Sequence, residues 1–140
     1  MPTLKAVLDT NVWLDIFLFQ DEKIQSIIDA SAQKRIQIYA CKHMYNELER
    51  VLTYRQFDKY HHNIKEILLQ FNNLVIYLDN PSNYFFPLKC KDKDDQIFLD
   101  FCAIYNIDFL ISKDKQVLKL AKGMLKFAVN VIPPNLFCLI

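Results

Sequence analysis

Residues 4–14 have the sequence LKAVLDTNVWL, in which a short apolar run ends abruptly in an acid, Asp9, followed by a hydroxyl and an amide. The run Leu4–Leu8 has the length and composition of a buried β-strand. A carboxylate at the end of a core strand is costly to desolvate unless something compensates its charge, and a bound cation is one such partner. Such a site needs other side chains that can share a cation with Asp9.

Four further strand-like runs follow the first, and helical patterns separate them. Such alternation is typical of βαβ units, so we expect an α/β fold around a mainly parallel sheet. The segment Asp79–Lys93 is rich in turn formers and predicts a loop, and Pro133-Pro134 predicts a short final helix or an extended tail. The predicted strands are Leu4–Leu8, Ile36–Ala40, Leu74–Leu78, Asp108–Ile111 and Ala128–Ile132, and the predicted helices are Val12–Phe19, Asp21–Gln33, Lys42–Tyr54, Phe57–Asn72, Asp95–Tyr105 and Lys115–Lys122.

Length and composition narrow the class of protein. A chain of 140 residues, 52% of them hydrophobic, fits a single packed domain over residues 1–140. The only glycine is Gly123, which excludes the glycine-rich phosphate loops of P-loop and Rossmann proteins. We find neither a signal peptide nor a membrane span. The four cysteines have no CxxC spacing, and free thiols together with these absences predict a cytoplasmic protein.

Three more acids fall where helices begin next to predicted strands. Asp94 and Asp95 open one helix, and Asp114 directly follows a strand. In α/β sheets ligands gather beyond the carboxyl ends of the strands, so these acids could converge with Asp9. The alternative for each is a helix N-cap or a first-turn acid that only interacts with the helix dipole. Asp15 we expect to be solvated, on the polar side of the first helix.

A fourth candidate acid lies on the helix that follows the second strand. Glu47 and Glu49 flank its apolar stripe at about equal angles, so periodicity alone cannot choose between them. The stripe consists of Met44, Tyr45, Leu48, Val51 and Leu52.

Taken together, these motifs resemble a PIN domain. The segments VLDTNV (7–12), NELERVL (46–52), KDDQIFL (93–99) and FLISKD (109–114) are individually short, but their order and spacing are quite specific. The chain looks most similar to toxin ribonucleases of toxin–antitoxin modules (VapC-like), over about residues 4–134. The resemblance implies a three-layer α/β/α sandwich and a Mg²⁺- or Mn²⁺-dependent endoribonuclease. It also implies an RNA substrate, a cognate antitoxin and a homodimer as partners.

The resemblance also assigns roles to individual residues. The family often has a further acid shortly after the position of Asp114, where this chain has Lys115 and Gln116, so the resemblance leaves open whether one metal or two bind. The implied catalytic and metal-binding acids are Asp9, Glu47, Asp95 and Asp114, and the supporting polar residues are Thr10, Asn11, Asp94 and Ser112.

Lysines recur beside Asp114 and could lead an RNA backbone to the acids. Lys113, Lys115 and Lys119 are the closest in sequence, and Lys122 and Lys126 continue the spacing. The alternative is an ordinary solvated helix face.

Two other classes of protein with an acid at the end of the first strand do not fit the sequence. Phosphatases of the haloacid-dehalogenase type need a second Asp two residues after the first, where this chain has Asn11, and phospho-receiver domains need an acidic pair after the first strand. The remaining alternative is a non-catalytic PIN-like module that binds RNA or a protein. Metal dependence discriminates between it and a nuclease.

Overall fold

The central feature of the computed structural model, which describes residues 2–81 and 93–137, is a five-stranded parallel sheet. All four strand pairings are parallel, as βαβ units require. This confirms the α/β fold expected from the alternating pattern. The strands, in the spatial order β3-β2-β1-β4-β5, are β1 (Leu4–Leu8), β2 (Ile36–Ala40), β3 (Val75–Tyr77), β4 (Phe109–Ile111) and β5 (Asn130–Ile132).

Helices connect successive strands. The α-helices are α1 (Thr10–Leu14), α2 (Gln25–Ala32), α3 (Lys42–Leu52), α4 (Ile64–Leu74), α5 (Lys93–Ile104), α6 (Lys115–Leu118), α7 (Ala121–Met124) and α8 (Pro134–Phe137). A π-helical turn, Asp15–Phe19, extends α1, and 3-10 turns occupy Glu22–Ile24, Arg55–Tyr60 and Leu125–Phe127. Of the two outcomes expected after Pro133, the structure has the short helix, with Pro134 in its first position where no N–H is needed.

Several predicted helices are interrupted. The predicted helix Phe57–Asn72 is broken because His61 adopts φ 47°, and Asn63 then caps α4 by accepting the Glu66 N–H at 3.1 Å. The predicted helix Lys115–Lys122 is split into α6 and α7. Of the predicted loop Asp79–Lys93, residues 82–92 lie outside the described residues, and Lys93 was wrongly included because it begins α5.

The order of the strands creates a switch point between β1 and β4. The chain first moves outward from β1 to β2 and β3, and β4 then pairs with the opposite side of β1. Because parallel crossovers are right-handed, connections that run in opposite directions place their helices on opposite faces, which produces three layers. Ligands of such sheets bind at the carboxyl end of the switch point. At this edge the Asp9 N–H donates to the Ile111 carbonyl at 2.9 Å, which joins the end of β1 to the end of β4.

The core fills both faces of the sheet with apolar side chains. Trp13 is buried and packs edge-on against Phe71, with ring centroids 4.7 Å apart, as expected for a core residue. Phe98 and Phe101 of α5 are also fully buried. Within the described residues no helix combines the length and apolar character needed to cross a bilayer.

Candidate metal centre

Three of the predicted acids meet at the switch point. Each of Asp9, Asp95 and Asp114 offers a carboxylate oxygen, and these oxygens lie within 4.8 Å of one another. Asp9 is 5% exposed and Asp95 is 8% exposed, while Asp114 is half-buried. They come from the end of β1, the first turn of α5 and the residue before α6. The structure thus brings together side chains that are up to 105 positions apart in the sequence (114 − 9).

Backbone and hydroxyl donors hold Asp9 in place. Its Oδ1 accepts the Thr10 N–H at 2.7 Å, so Asp9 is also the N-cap of α1. Its Oδ2 accepts the Ser112 hydroxyl at 2.7 Å, and the Ser112 oxygen in turn accepts the Asp114 N–H at 3.0 Å. Ser112 is fully buried and therefore links two of the three acids through one oxygen.

Asp114 is both a helix N-cap and a member of the three-acid group, two roles that the sequence offered as alternatives. It is the N-cap of α6, because its Oδ1 accepts the Gln116 N–H at 2.8 Å. It nevertheless belongs to the three-acid group. A cap uses a single carboxylate oxygen, so capping does not exclude metal binding.

Glu47 lies beside the three-acid group and has an unusual environment. Its Oε2 is buried and has no hydrogen-bond partner in the parts of the chain that the structure describes. Burial raises the pKa of Glu47 to about 7, and the charges of Asp9 and Asp94 add to the rise, while a hydrogen bond from Thr10 and the charge of Arg50 oppose it. The structure also separates Glu47 from Glu49, which periodicity could not do, because Glu49 is exposed.

Asp94 forms a second group with two residues that the sequence analysis missed. Its Oδ1 lies 3.2 Å from His43 Nε2, and its Oδ2 accepts from the Arg50 guanidinium at 3.2 Å. His43, Glu47 and Asp94 have potential ligand atoms within 4.8 Å of one another. Both Asp94 oxygens are thus engaged by basic side chains, and Asp94 lies at the rim of the site.

The spacing of His43 and Arg50 from Glu47 could have identified these two basic residues. His43 precedes Glu47 by four residues and Arg50 follows it by three, which places all three on one face of α3. His43 is half-buried, and its ring is directed at Asp94 on the rim of the acidic site.

The expectation for Asp15 was wrong. Asp15 is 3% exposed, and both of its oxygens accept from Lys113 Nζ, at 3.1 and 2.9 Å. The polar side of a five-residue helix gives no hint of this contact, because the partner comes from 98 residues further along the chain. The Lys113 ammonium is therefore engaged in an ion pair next to Asp114.

The other predicted polar residues lie as follows. Asn11 is exposed on α1, whereas Thr10 is buried and donates its hydroxyl to Glu47. Lys115 and Lys119 are exposed at the two ends of α6 and form no ion pair with any carboxylate of the described residues. Both lysines are thus available to a polyanion that approaches Asp114.

The donor set fits a hard divalent cation. Two unit charges 4.8 Å apart repel by roughly 3–4 kcal/mol at the effective dielectric of a protein site, so three ionised carboxylates need a positive charge among them. Carboxylate oxygens are the ligands that Mg²⁺ and Mn²⁺ prefer. The buried Oε2 of Glu47 adds an acceptor that the described protein groups do not use.

Comparisons with known proteins agree with the fold. A solved structure described as VapBC2 from Rickettsia felis bound to a DNA fragment from their promoter matches the fold with a TM-score of 0.62 at 11% identity, and the match covers 91% of this chain and 98% of that one. No curated protein matches the sequence. The family model for the PIN domain matches residues 5–116, which is more than half of the chain and contains all the predicted site residues except Lys119. The chain therefore belongs to the PIN domain family.

Proposed function

We propose that this chain is an endoribonuclease that uses Mg²⁺ or Mn²⁺ to hydrolyse RNA phosphodiester bonds, and that it acts in the cytoplasm as the toxin of a toxin–antitoxin module. The observation that supports the proposal is the group of two buried acids, Asp9 and Asp95, and the half-buried Asp114, whose oxygens converge within 4.8 Å at the switch point of the sheet. A buried cluster of like charges is costly, and cation binding offsets that cost.

Asp9, Asp95 and Asp114 would hold the cation. When bound, a divalent ion polarises a phosphoryl oxygen and makes a water molecule more acidic. The chain's own contribution is to fix the ligands, because Ser112 binds both Asp9 Oδ2 and the Asp114 N–H.

Glu47 would take part in proton transfer. A carboxyl group with a pKa of about 7 can both accept and release a proton near neutral pH, which suits a general base. Its Oε2 is the buried atom that would hold the proton, and Thr10 orients the group by hydrogen bonding. Glu47 lies beside the three-acid group, where an attacking water would be needed.

RNA would approach along α6. Lys115 and Lys119 are exposed there and carry positive charge close to Asp114. Phosphate–lysine contacts supply affinity without sequence preference.

The role as a toxin is supported by family membership and by the fold shared with the VapBC2 structure. An antitoxin segment that carries an Arg or Lys side chain could occupy the acidic pocket and balance its charge. A homodimer stays a prediction.

The direct test is incubation of the purified protein with a mixed-sequence RNA, with and without Mn²⁺. The wild type should cut the RNA only with Mn²⁺, and Asp9→Asn should not cut it. Asp29→Asn is the matched control, because this exposed carboxylate accepts from Gln25 and lies outside the three-acid group, so the change should leave cleavage unchanged. Equal cleavage by the wild type and Asp9→Asn would contradict the proposal.

The alternative, a non-catalytic module, can be separated by thermal unfolding. A ligand that binds only the native state raises the melting temperature, by an amount that grows with the logarithm of the ligand concentration above the dissociation constant. The proposal predicts a rise with Mg²⁺ or Mn²⁺, whereas no shift with either ion favours the non-catalytic module.

A further inference from the structure

A concave site lies at the carboxyl ends of β2 and β3, beside the acidic group. This open cleft has a volume of about 510 Å³, within the range of ligand sites in proteins. None of its residues belongs to the three-acid group. It is lined chiefly by Lys42, Tyr45, Asn72, Tyr77, Asp79 and Asn80.

Hydrogen bonds connect this cleft to the candidate metal centre. Asn80 Oδ1 accepts the His43 N–H at 3.0 Å, and the His43 ring contacts Asp94 at 3.2 Å. Asp94 directly precedes Asp95 of the three-acid group. Within the described residues, His43 thus contacts both the cleft and the rim of the acidic group, so a polymer bound across the sheet edge could extend from one to the other.

Two tyrosines give the cleft aromatic surfaces in fixed positions. Tyr45 and Tyr77 both pack against the fully buried Phe71, with ring centroids 6.2 and 6.3 Å away. Tyr77 also donates its hydroxyl to Asn72. Tyr77 is nevertheless 41% exposed, which leaves part of a rigid ring open to solvent. A preorganised ring of this kind binds flat apolar groups at little entropic cost.

The ammonium group of Lys42 lies beside one of these rings. Lys42 Nζ lies 4.1 Å from the centroid of Tyr45, so a cation–π contact holds the ammonium at the cleft. Lys42 forms no ion pair with a carboxylate in residues 2–81 or 93–137. The ammonium can therefore bind a phosphate without giving up a partner acid.

The polar edge of the cleft offers both donors and acceptors. The carbonyl oxygen of Asn80 is occupied by the His43 N–H, which leaves its amide NH₂ as a donor. Asp79 also lines the cleft, and its carboxylate oxygens are possible acceptors there. Such a pair can bind the edge of a base that carries both a carbonyl and an N–H group.

We propose that this cleft binds one unpaired nucleotide of the RNA, next to the phosphate that is cut, with its base stacked on Tyr77 and its phosphate on Lys42. The inference rests on the proposed function for one point, namely that the bound polymer is RNA. An unpaired base is required because bases in a duplex have no exposed face to stack. The cleft would thus make the enzyme select single-stranded segments.

Binding can be measured without cleavage, by fluorescence anisotropy of a labelled single-stranded RNA in EDTA. Tyr77→Leu and Lys42→Ala should each weaken binding by about ten-fold. Tyr77→Phe keeps the ring and should bind like the wild type, which also controls for folding at this position. Lys59 and Tyr60 form a matched cation–π pair, 5.4 Å apart, outside the cleft, so Lys59→Ala and Tyr60→Leu should not change the affinity.

An abasic RNA tests the stacking contact itself. RNAs that carry one abasic sugar at successive positions should include one that binds the wild type about ten-fold less tightly. On that RNA Tyr77→Leu should cause no further loss, because the variant and the abasic sugar remove the same contact. Full additivity at every position would contradict the assignment of Tyr77.

The outcomes separate this inference from the proposed function. Loss of affinity in Tyr77→Leu and Lys42→Ala supports the cleft even if no RNA is cut. Wild-type affinity in both variants would overturn the proposal that the cleft binds a nucleotide, even if Mn²⁺-dependent cleavage is observed. Equally tight, Tyr77-dependent binding of the duplex form of the RNA would also overturn it.

Discussion

The Ser112 hydroxyl donates to Asp9 Oδ2 at 2.7 Å, across 103 positions of sequence. The same oxygen accepts the Asp114 N–H, so the contact fixes the end of β1 to the turn after β4. Two of the three acids are therefore held by one small side chain, and their separation is set before any cation binds.

Ser112→Ala should weaken both stability and metal affinity. It leaves a buried Asp9 oxygen and the Asp114 N–H without this partner, at a cost of about 2 kcal/mol in the free energy of unfolding. Loss of such a supporting hydrogen bond lowers metal affinity roughly 10- to 100-fold. Urea unfolding and Mn²⁺ titration measure the two effects. Ser26→Ala, which removes a surface contact of 3.4 Å to the Lys23 carbonyl, should change neither.

Glu47 should make the metal-free protein more stable at mildly acid pH. Burial raises its pKa from 4.5 to about 7. As the pH falls, the folded state therefore binds a proton near pH 7, whereas the unfolded state binds it only near pH 4.5. This stabilising contribution is fully present below pH 4.5 and is lost as the pH rises through about 7. In EDTA, urea unfolding from pH 4.5 to 8 should show that decline in the wild type and a flatter profile in Glu47→Gln. The same slope in both proteins would exclude Glu47 as its source.

The ion pair between Asp15 and Lys113 should be structural. Lys113→Met leaves a buried carboxylate without its cation, and because Lys113 is half exposed we expect a loss of about 2 kcal/mol in unfolding free energy. Asp15→Asn combined with Lys113→Met removes both charges and should recover most of that stability. If the double variant also binds RNA like the wild type, Lys113 is not an RNA contact. A double variant as unstable as Lys113→Met would show that the pair is not the cause.

Backbone strain at Ala128 offers a stabilising change. Ala128 adopts φ 60° after the turn Leu125–Phe127, a conformation in which a Cβ is unfavourable. Ala128→Gly should raise the unfolding free energy by about 0.5–1 kcal/mol, after allowance for the more flexible unfolded chain. Ala103→Gly, inside α5, should lower it by about 1 kcal/mol. Thermal unfolding of the two variants should therefore shift in opposite directions.

The sequence predicted the sheet because its strands are short apolar runs separated by helical patterns. It did not predict where helices break, because the left-handed residues are not glycines: Gln20, Lys34, His61, Asn106 and Ala128 all have positive φ. Gly123, the one glycine, does not mark any of these positions. Local composition therefore gave no warning of the interruptions after α1 and before α4.

The acids of the site were predictable in part, for a physical reason. Asp9, Asp95 and Asp114 follow strands or open helices, and a parallel sheet brings such positions to one edge. The buried contact between Asp15 and Lys113 was not predictable, because it depends on the packing of the π-helical turn against the loop after β4. The catalytic and metal-binding roles of the acids stay predictions.

The central claim is that Asp9, Asp95 and Asp114 together bind a divalent cation. Isothermal titration calorimetry of the purified protein with Mn²⁺ measures this binding directly, without RNA. The wild type and Asp29→Asn should bind Mn²⁺ with the same affinity, and Asp9→Asn and Asp95→Asn should show no saturable binding in the same concentration range. Wild-type affinity in both of these variants would contradict the assignment of the metal centre.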